Sequence, residues 1–275
     1  MIQSLPLLDK TVLVPRGENQ AKSFSQLVER YGGIPIEIPL IAFRPIEKNQ
    51  RLHEALLVLN TYDWIIFTSN VTVETFFSFL KKEGVSKGFP KIAVIGKKTA
   101  EVLMERGQSP EFVPSAYVAE TFVAEFIPLI DKDSRVLVPK GNLAREYIAR
   151  SLTGAGAVVD EVVIYETYMP DESRLRLANM LADNQLDILT FTSPSTVDHL
   201  MDVVKEYRLD EQLKNCIIGC IGPVTEKKLR AYGLMVHASP KEYTVKEMIN
   251  STIAYLDMEE SVSYTHLTLP TICSV

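Results

Sequence analysis

Cysteine, histidine and basic charge are all scarce in this chain. Three cysteines, Cys216, Cys220 and Cys273, are too few for a disulfide scaffold, and Cys-x3-Cys without a neighbouring histidine is not a zinc-site spacing. Cys216 and Cys220 read as strand residues. The four histidines, His53, His199, His237 and His266, lie far apart and show no His-Glu-x-x-His spacing, which argues against a metal site. The net charge of -6 lacks the basic balance of a nucleic-acid footprint, so no nucleic-acid partner is expected. No apolar run reaches the ~18 residues that a membrane span needs, and the start MIQSLPLLDK lacks the basic and long apolar stretches of a signal peptide. The expected location is the cytoplasm, away from membranes. Phosphate cradles are missing too: neither Gly-x4-Gly-Lys-Ser/Thr nor Gly-x-Gly-x-x-Gly occurs, and there is no Gly-x-Ser-x-Gly nucleophile elbow or visible Ser-His-Asp set.

What is present is an internal repeat. Val12-Leu13-Val14-Pro15-Arg16-Gly17 returns as Val136-Leu137-Val138-Pro139-Lys140-Gly141, an offset of 124, and Phe67-Thr68-Ser69-Asn70 returns at the same offset as Phe191-Thr192-Ser193-Pro194. Ile95-Gly96-Lys97-Lys98-Thr99 returns as Ile221-Gly222-Pro223-Val224-Thr225 at 126, as does Pro114-x-x-Tyr117 in Pro240-x-x-Tyr243. The 275 residues, 46% of them apolar and 23% charged, leave ample room for two packed domains.

Within each copy a short apolar run ends in a small or polar loop, and a helical pattern follows. Val73, Phe76, Phe77 and Leu80 recur at helical spacing after Ser69, and Val197, Leu200, Met201 and Val204 do so after Ser193. Phe24, Leu27, Val28 and Tyr31 form a third such stripe, closed by Gly32-Gly33. Nearly unbroken apolar strands alternating with helices imply α/β architecture with parallel sheets covered on both faces. The segments 34–43 and 158–168, extended and flanked by prolines, read as connectors paired with each other as strands. By itself the repeat suggests contiguous domains near 9–120 and 134–250. The last fifteen residues, 261–275, contain no Asp, Glu, Lys or Arg and have no counterpart in the first copy, so they read as a non-native or disordered tail.

The repeated loops fall at strand carboxyl ends and helix amino ends, where α/β sheets bind ligands and where unpaired first-turn N–H groups favour anions. Arg16, Gly17, Thr68, Ser69, Asn70, Gly96, Lys97, Thr99, Lys140, Gly141, Thr192, Ser193, Gly222 and Thr225 are therefore the candidate ligand-binding residues. Ser69, Thr99, Ser193 and Thr225 also fit the simpler role of helix N-caps. Arg16 and Lys140 each follow a strand and precede a glycine at that edge, whereas Lys227 and Lys228 fit a solvated helix face. A polyanionic ligand is expected.

These loops, with Val163-Ile164-Tyr165-Glu166-Thr167, resemble uroporphyrinogen-III synthase over roughly residues 9–255. The resemblance implies two similar flavodoxin-like, three-layer α/β domains with parallel sheets, 1–38 with 171–260 and 45–163. A two-stranded β linker at 34–44 and 158–170 would join them, with the active-site cleft between. It implies cyclisation of hydroxymethylbilane, a linear tetrapyrrole with many carboxylates, to uroporphyrinogen III. Water is lost and ring D is inverted, without metal or organic cofactor. Tyr165 matches the family's candidate acid, and Ser69, Thr99, Ser193 and Thr225 fall on loop positions that contact substrate. A monomer would suffice, with hand-over from hydroxymethylbilane synthase. Two other classes of function fit less of the sequence: a cytosolic two-domain sensor that closes on a small anion, and a two-domain sugar transferase, which would bring a nucleotide-diphosphate site.

Overall fold

The computed structural model describes residues 5–84 and 88–267. The chain divides into two compact units, residues 1–42 with 168–275, and residues 43–167. The elements of the first half are β1 (Thr11–Val14), α1 (Glu18–Arg30), β2 (Ile34–Glu37), β3 (Ala42–Pro45), α2 (Gln50–Leu57), β4 (Trp64–Phe67), α3 (Asn70–Glu83), β5 (Lys91–Val94), α4 (Lys97–Glu105) and α5 (Ala119–Phe126). In the second half follow β6 (Arg135–Gly141), α6 (Tyr147–Gly154), β7 (Val158–Tyr168), α7 (Asp171–Ala182), β8 (Ile188–Phe191), α8 (Pro194–Tyr207), α9 (Asp210–Leu213), β9 (Ile217–Cys220), α10 (Pro223–Ala231) and α11 (Val245–Leu267).

The first unit holds a four-stranded sheet of order β2-β1-β8-β9, parallel throughout. The second holds five strands of order β3-β7-β6-β4-β5, with β7, β6, β4 and β5 parallel. Each sheet thus mixes the two repeat copies: β1 pairs with β8 and β6 with β4, so the contiguous division suggested by the repeat is not the one found.

The central pairs are joined by the same device. Asp187 accepts hydrogen bonds from the backbone N–H (2.7 Å) and hydroxyl (2.8 Å) of Thr11. Asp63 accepts one from the backbone N–H of Arg135 at 2.8 Å. The repeat is also legible in the backbone. Helices α3 and α8 have 14 residues each and α4 and α10 have 9 each. The lone parallel bridges Ala93 to Phe112 and Gly219 to Ala238 lie 126 residues apart.

The inner strands of each sheet are buried on both faces, giving three layers per unit, while the edge strands β2 and β3 are largely exposed. In the first, α7, α8 and α10 cover Leu13, Leu189 and Phe191, while α1 and α11 cover Val12, Val14 and Ile188. In the second, α2, α3 and α4 cover Ile65, Phe67 and Leu137, while α5 and α6 cover Trp64, Ile66, Val136 and Val138. The stripe on α8 is buried as expected; on α3, Val73, Phe76 and Leu80 are buried, Phe79 joins them, and Phe77 is only partly covered. Cys220 is the last residue of β9 and Cys216 sits just before it, both buried; Cys273 lies outside the described residues.

Three expectations need correction. Ile34–Glu37 is no connector: it is the edge strand β2, parallel to β1, and an edge tolerates Pro35 because the missing N–H would face outward. Val158–Tyr168 is a full sheet strand, paired along β6, and the expected pairing of the two segments is limited to β3 on β7. The two passages of the chain from one unit to the other, at 42–43 and 167–168, nevertheless fall inside the expected linker segments 34–44 and 158–170. The last fifteen residues are not wholly irregular, because the backbone of α11 continues through Leu267; extending an existing helix is far easier than starting one. Residues 268–275 lie outside the described residues.

One half-buried group ties the stability of the first unit to pH. His237 Nδ1 accepts a hydrogen bond from the Ile218 N–H at 2.9 Å, and burial pushes its pKa below 6.5, against a smaller opposing pull from Glu259. The folded state therefore holds the neutral ring, and its stabilisation is complete above the unfolded value and declines as pH falls through the folded one. Urea midpoints should fall between pH 7 and 5, with a shallower slope in His237→Gln.

Candidate functional site

In each sheet the chain leaves the two central strands in opposite directions, β1 toward β2 and β8 toward β9, β6 toward β7 and β4 toward β5. Such reversals open a crevice at the strand carboxyl ends, the usual ligand position in open α/β sheets. The candidate residues gather at these two crevices.

In the second unit, Ser69 ends the loop after β4 and caps α3. Its backbone is extended, and its Oγ accepts from Thr72 N–H at 3.2 Å and lies 2.8 Å from Thr72 Oγ1. Ser193 takes the same role before α8, with φ -159 and ψ 156 against -157 and 159 at Ser69, and accepts from Thr196 N–H at 3.4 Å. The N-cap reading therefore holds for both serines. It fails for Thr99 and Thr225: the caps are Gly96 and Gly222, and the threonines sit at the third position of α4 and α10, buried. Gly-x-x-Thr thus encodes a glycine cap followed by a first turn with a buried threonine. A side chain at Gly96 would meet little, the nearest atom being Thr99 Oγ1 at 3.9 Å, and one at Gly17 would meet nothing. At Gly222 a Cβ would lie 2.9 Å from the Tyr243 ring, so glycine is required there by contact.

Tyr165 reaches the crevice through a β-bulge. Val163 pairs with Lys140 but Tyr165 pairs with Gly141, leaving Ile164 as an extra residue on β7. Without it Tyr165 would alternate to the opposite face from Val162 and Ile164; with it all three join the cluster under α2 and α3. The phenol Oη then lies 3.5 Å from Ser69 Oγ, and Phe43 meets the ring edge-on at 5.8 Å between centroids. The ring lies over Gly141, where a Cβ would stand 2.6 Å from Cζ. Gly141 is buried and serves as the seat of this ring, a use different from the anion contact expected of it.

The two favoured cations differ. Lys140 is buried and already paired, its Nζ 2.7 Å from a Glu161 carboxylate oxygen. Arg16 is half-buried and donates from Nε to Thr192 Oγ1 at 3.2 Å across the first crevice. Burial pushes its pKa below the ordinary arginine value, and among the described residues no carboxylate pairs with it. It is the better anion ligand of the two. Lys97 and Lys98 are exposed at the start of α4, Asn70 opens α3 half-buried, and Lys228 pairs with Asp198 at 2.7 Å while Lys227 is solvated. Thr68 lines a cavity beside Lys140. Sequence reasoning missed Thr72, whose contact with Ser69 is local to the start of α3, and Phe43 and Glu161, whose contacts with Tyr165 and Lys140 arise from neighbours across strands. Among the described residues no cluster of His, Cys, Asp and Glu would hold a metal ion, and no helix is long and apolar enough to cross a membrane.

Comparison with known proteins adds a name. The profile of the family described as uroporphyrinogen-III synthase HemD matches residues 22–250. A putative uroporphyrinogen-III synthase of Methanothermobacter thermautotrophicus is 31% identical over 241 residues, spanning 86% of this chain and 94% of that protein. The uroporphyrinogen-III synthase of Synechococcus elongatus is 29% identical over 250 residues, 89% of this chain and 94% of its own. Among solved structures, a mutant uroporphyrinogen III synthase of Thermus thermophilus shares the fold, with a TM-score of 0.62 at 20% identity over 91% of this chain and 99% of that one. The repeat, the crossed strand pairs and the matched crevices accordingly have a common explanation: the chain belongs to the uroporphyrinogen-III synthase family.

Proposed function

We propose that this chain is a cyclising hydro-lyase that converts hydroxymethylbilane to uroporphyrinogen III in tetrapyrrole biosynthesis, with Tyr165 as the acid that assists departure of the hydroxyl. Family membership supports the reaction and does not favour a sensor without turnover. The observation that most supports the role of Tyr165 is the bulge that turns it toward Ser69 at the second crevice.

The chemistry asks the protein for few groups. Protonation of the departing hydroxyl by a neutral phenol leaves a cation delocalised over the first pyrrole ring. Water departs and Tyr165 is left as a phenolate. Ring D attacks the cation through its already substituted carbon to give a spiro intermediate. The bond from that carbon to its original methylene breaks, the ring re-closes, inverted, through its other α carbon, and the proton that carbon loses returns to the phenolate. Holding the reacting carbons in near-attack geometry supplies ~7–11 kcal/mol in well-oriented systems, so positioning rather than acid strength carries most of the rate. The substrate's carboxylates are held by Arg16 and by the first-turn N–H groups behind Gly17, Gly96 and Gly222, with Ser69, Thr99, Ser193 and Thr225 completing the loops. Ser69 and Thr72 form a hydroxyl chain that orients the Tyr165 phenol. We assign the reaction to the cytoplasm and to a monomer that receives its substrate from hydroxymethylbilane synthase.

Tyr165→Phe is expected to lower kcat for the type III isomer clearly while leaving KM nearly unchanged, in an assay coupled to the preceding deaminase with isomer analysis after oxidation. An unchanged rate removes Tyr165 from the mechanism. Gly141→Ala displaces the ring without deleting the phenol, so it should lower kcat similarly and destabilise the unit by ~1–3 kcal/mol. Thr99→Ala should reduce kcat/KM less than about ten-fold, the scale of one hydrogen bond worth ~0.5–1.5 kcal/mol. Total loss would mean a chemical role for that hydroxyl.

A further inference from the structure

The repeated motif Pro-x-x-Tyr places Tyr117 and Tyr243 at matching positions of the two copies. In the first unit Tyr243, itself 62% exposed, lays one side of its ring on Gly222, within 2.9 Å of where a Cβ would be. In the second unit the matching Tyr117 is 57% exposed and lines an open cavity of about 400 Å³ at the carboxyl ends of β4, β5 and β6. Thr68, Lys140, Arg145, Ile148 and Glu161 share the lining. We propose that this cavity seats a single pyrrole ring of the substrate, with a ring carboxylate on Lys140 and Arg145, the ring N–H on Glu161, and Tyr117 as the flat wall. This rests on the function proposed above and deepens it.

The lining chemistry selects such a ligand. Cations and acids alternate in it: Lys140 lies 2.7 Å from Glu161, and Arg145 Nη1 lies 3.8 Å from Glu120. A ligand offering carboxylates alone would meet as much repulsion as attraction. A ring that carries both a carboxylate and an N–H donor satisfies each partner, the carboxylate taking donors from the cations and the N–H relieving the acid. Burial makes this pairing matter, because the side chain of Lys140 is only 10% exposed and that of Glu161 25%. Ile148 and the Tyr117 ring supply the apolar faces that a five-membered aromatic ring needs. The volume lies at the small end of ligand sites, enough for one substituted ring and too little for four. Position agrees with chemistry: Thr68 lines the cavity, and the next residue, Ser69, holds the Tyr165 phenol.

The test uses pyrrole-3-propanoate as probe, titrated calorimetrically into the full chain, with 3-phenylpropanoate as the analogue lacking the N–H. Saturable binding is expected, with about ten-fold weaker affinity, or ~1.4 kcal/mol, for the phenyl analogue and for the Tyr117→Ala and Lys140→Met variants. Because Tyr117 is exposed, Tyr117→Ala should fold normally even where Lys140→Met does not. With hydroxymethylbilane, Tyr117→Ala should raise KM several-fold with kcat nearly unchanged, the mark of lost ground-state binding. Absence of probe binding, equal affinity for the phenyl analogue, or unchanged affinity in Tyr117→Ala overturns the seat. A wild-type chain that produces no type III isomer would instead overturn the proposed reaction, while probe binding still decides the seat.

Discussion

Everything at the two crevices depends on a crossed pairing: β1 lies beside β8, and β6 beside β4. Each pair joins strands from different repeat copies, clamped where Asp187 receives the Thr11 N–H and Asp63 the Arg135 N–H. Because the chain leaves the paired strands in opposite directions and buries both faces of these strands under helices, the carboxyl ends of the central strands remain open. Arg16 and Thr192 meet there in one unit, and Lys140, Thr68, Ser69 and Tyr165 gather there in the other.

The two crevices handle charge differently. Lys140 is buried beside a carboxylate that compensates it, a pairing that limits the penalty of removing an ammonium from water. Arg16 has a hydroxyl partner in place of a carboxylate, and its burial lowers its pKa. The first crevice therefore holds a cation with no carboxylate beside it among the described residues, and the second a cation already paired with Glu161.

Tyr165 shows how little side-chain chemistry the proposed reaction requires and how much backbone geometry. The phenol is unremarkable as a residue type; its value comes from one extra residue in β7 and from a glycine opposite that lets the ring lie flat. Ser69 is both a helix cap and the neighbour of that phenol, so a single side chain ties the start of α3 to the proposed acid. Local folding and chemistry are coupled at that point.

The sequence alone determined a good deal. Its periodicities settled the βα units, the α3 and α8 stripes and the loops on which the site stands, because side-chain period and capping are local properties of the chain. The repeat offsets of 124 and 126 foretold twin crevices with serine caps at Ser69 and Ser193. Other features were decided only by the tertiary structure. Strand partners are non-local, so Ile34–Glu37 passed for a connector until its parallel register on β1 was seen. A bulge exists only relative to a partner strand, so neither the turn of Tyr165 nor the reason for Gly141 could be read from either segment alone. The pairing of Lys140 with Glu161 likewise depends on β6 lying against β7, since charge balance in a crevice is a property of neighbours in space.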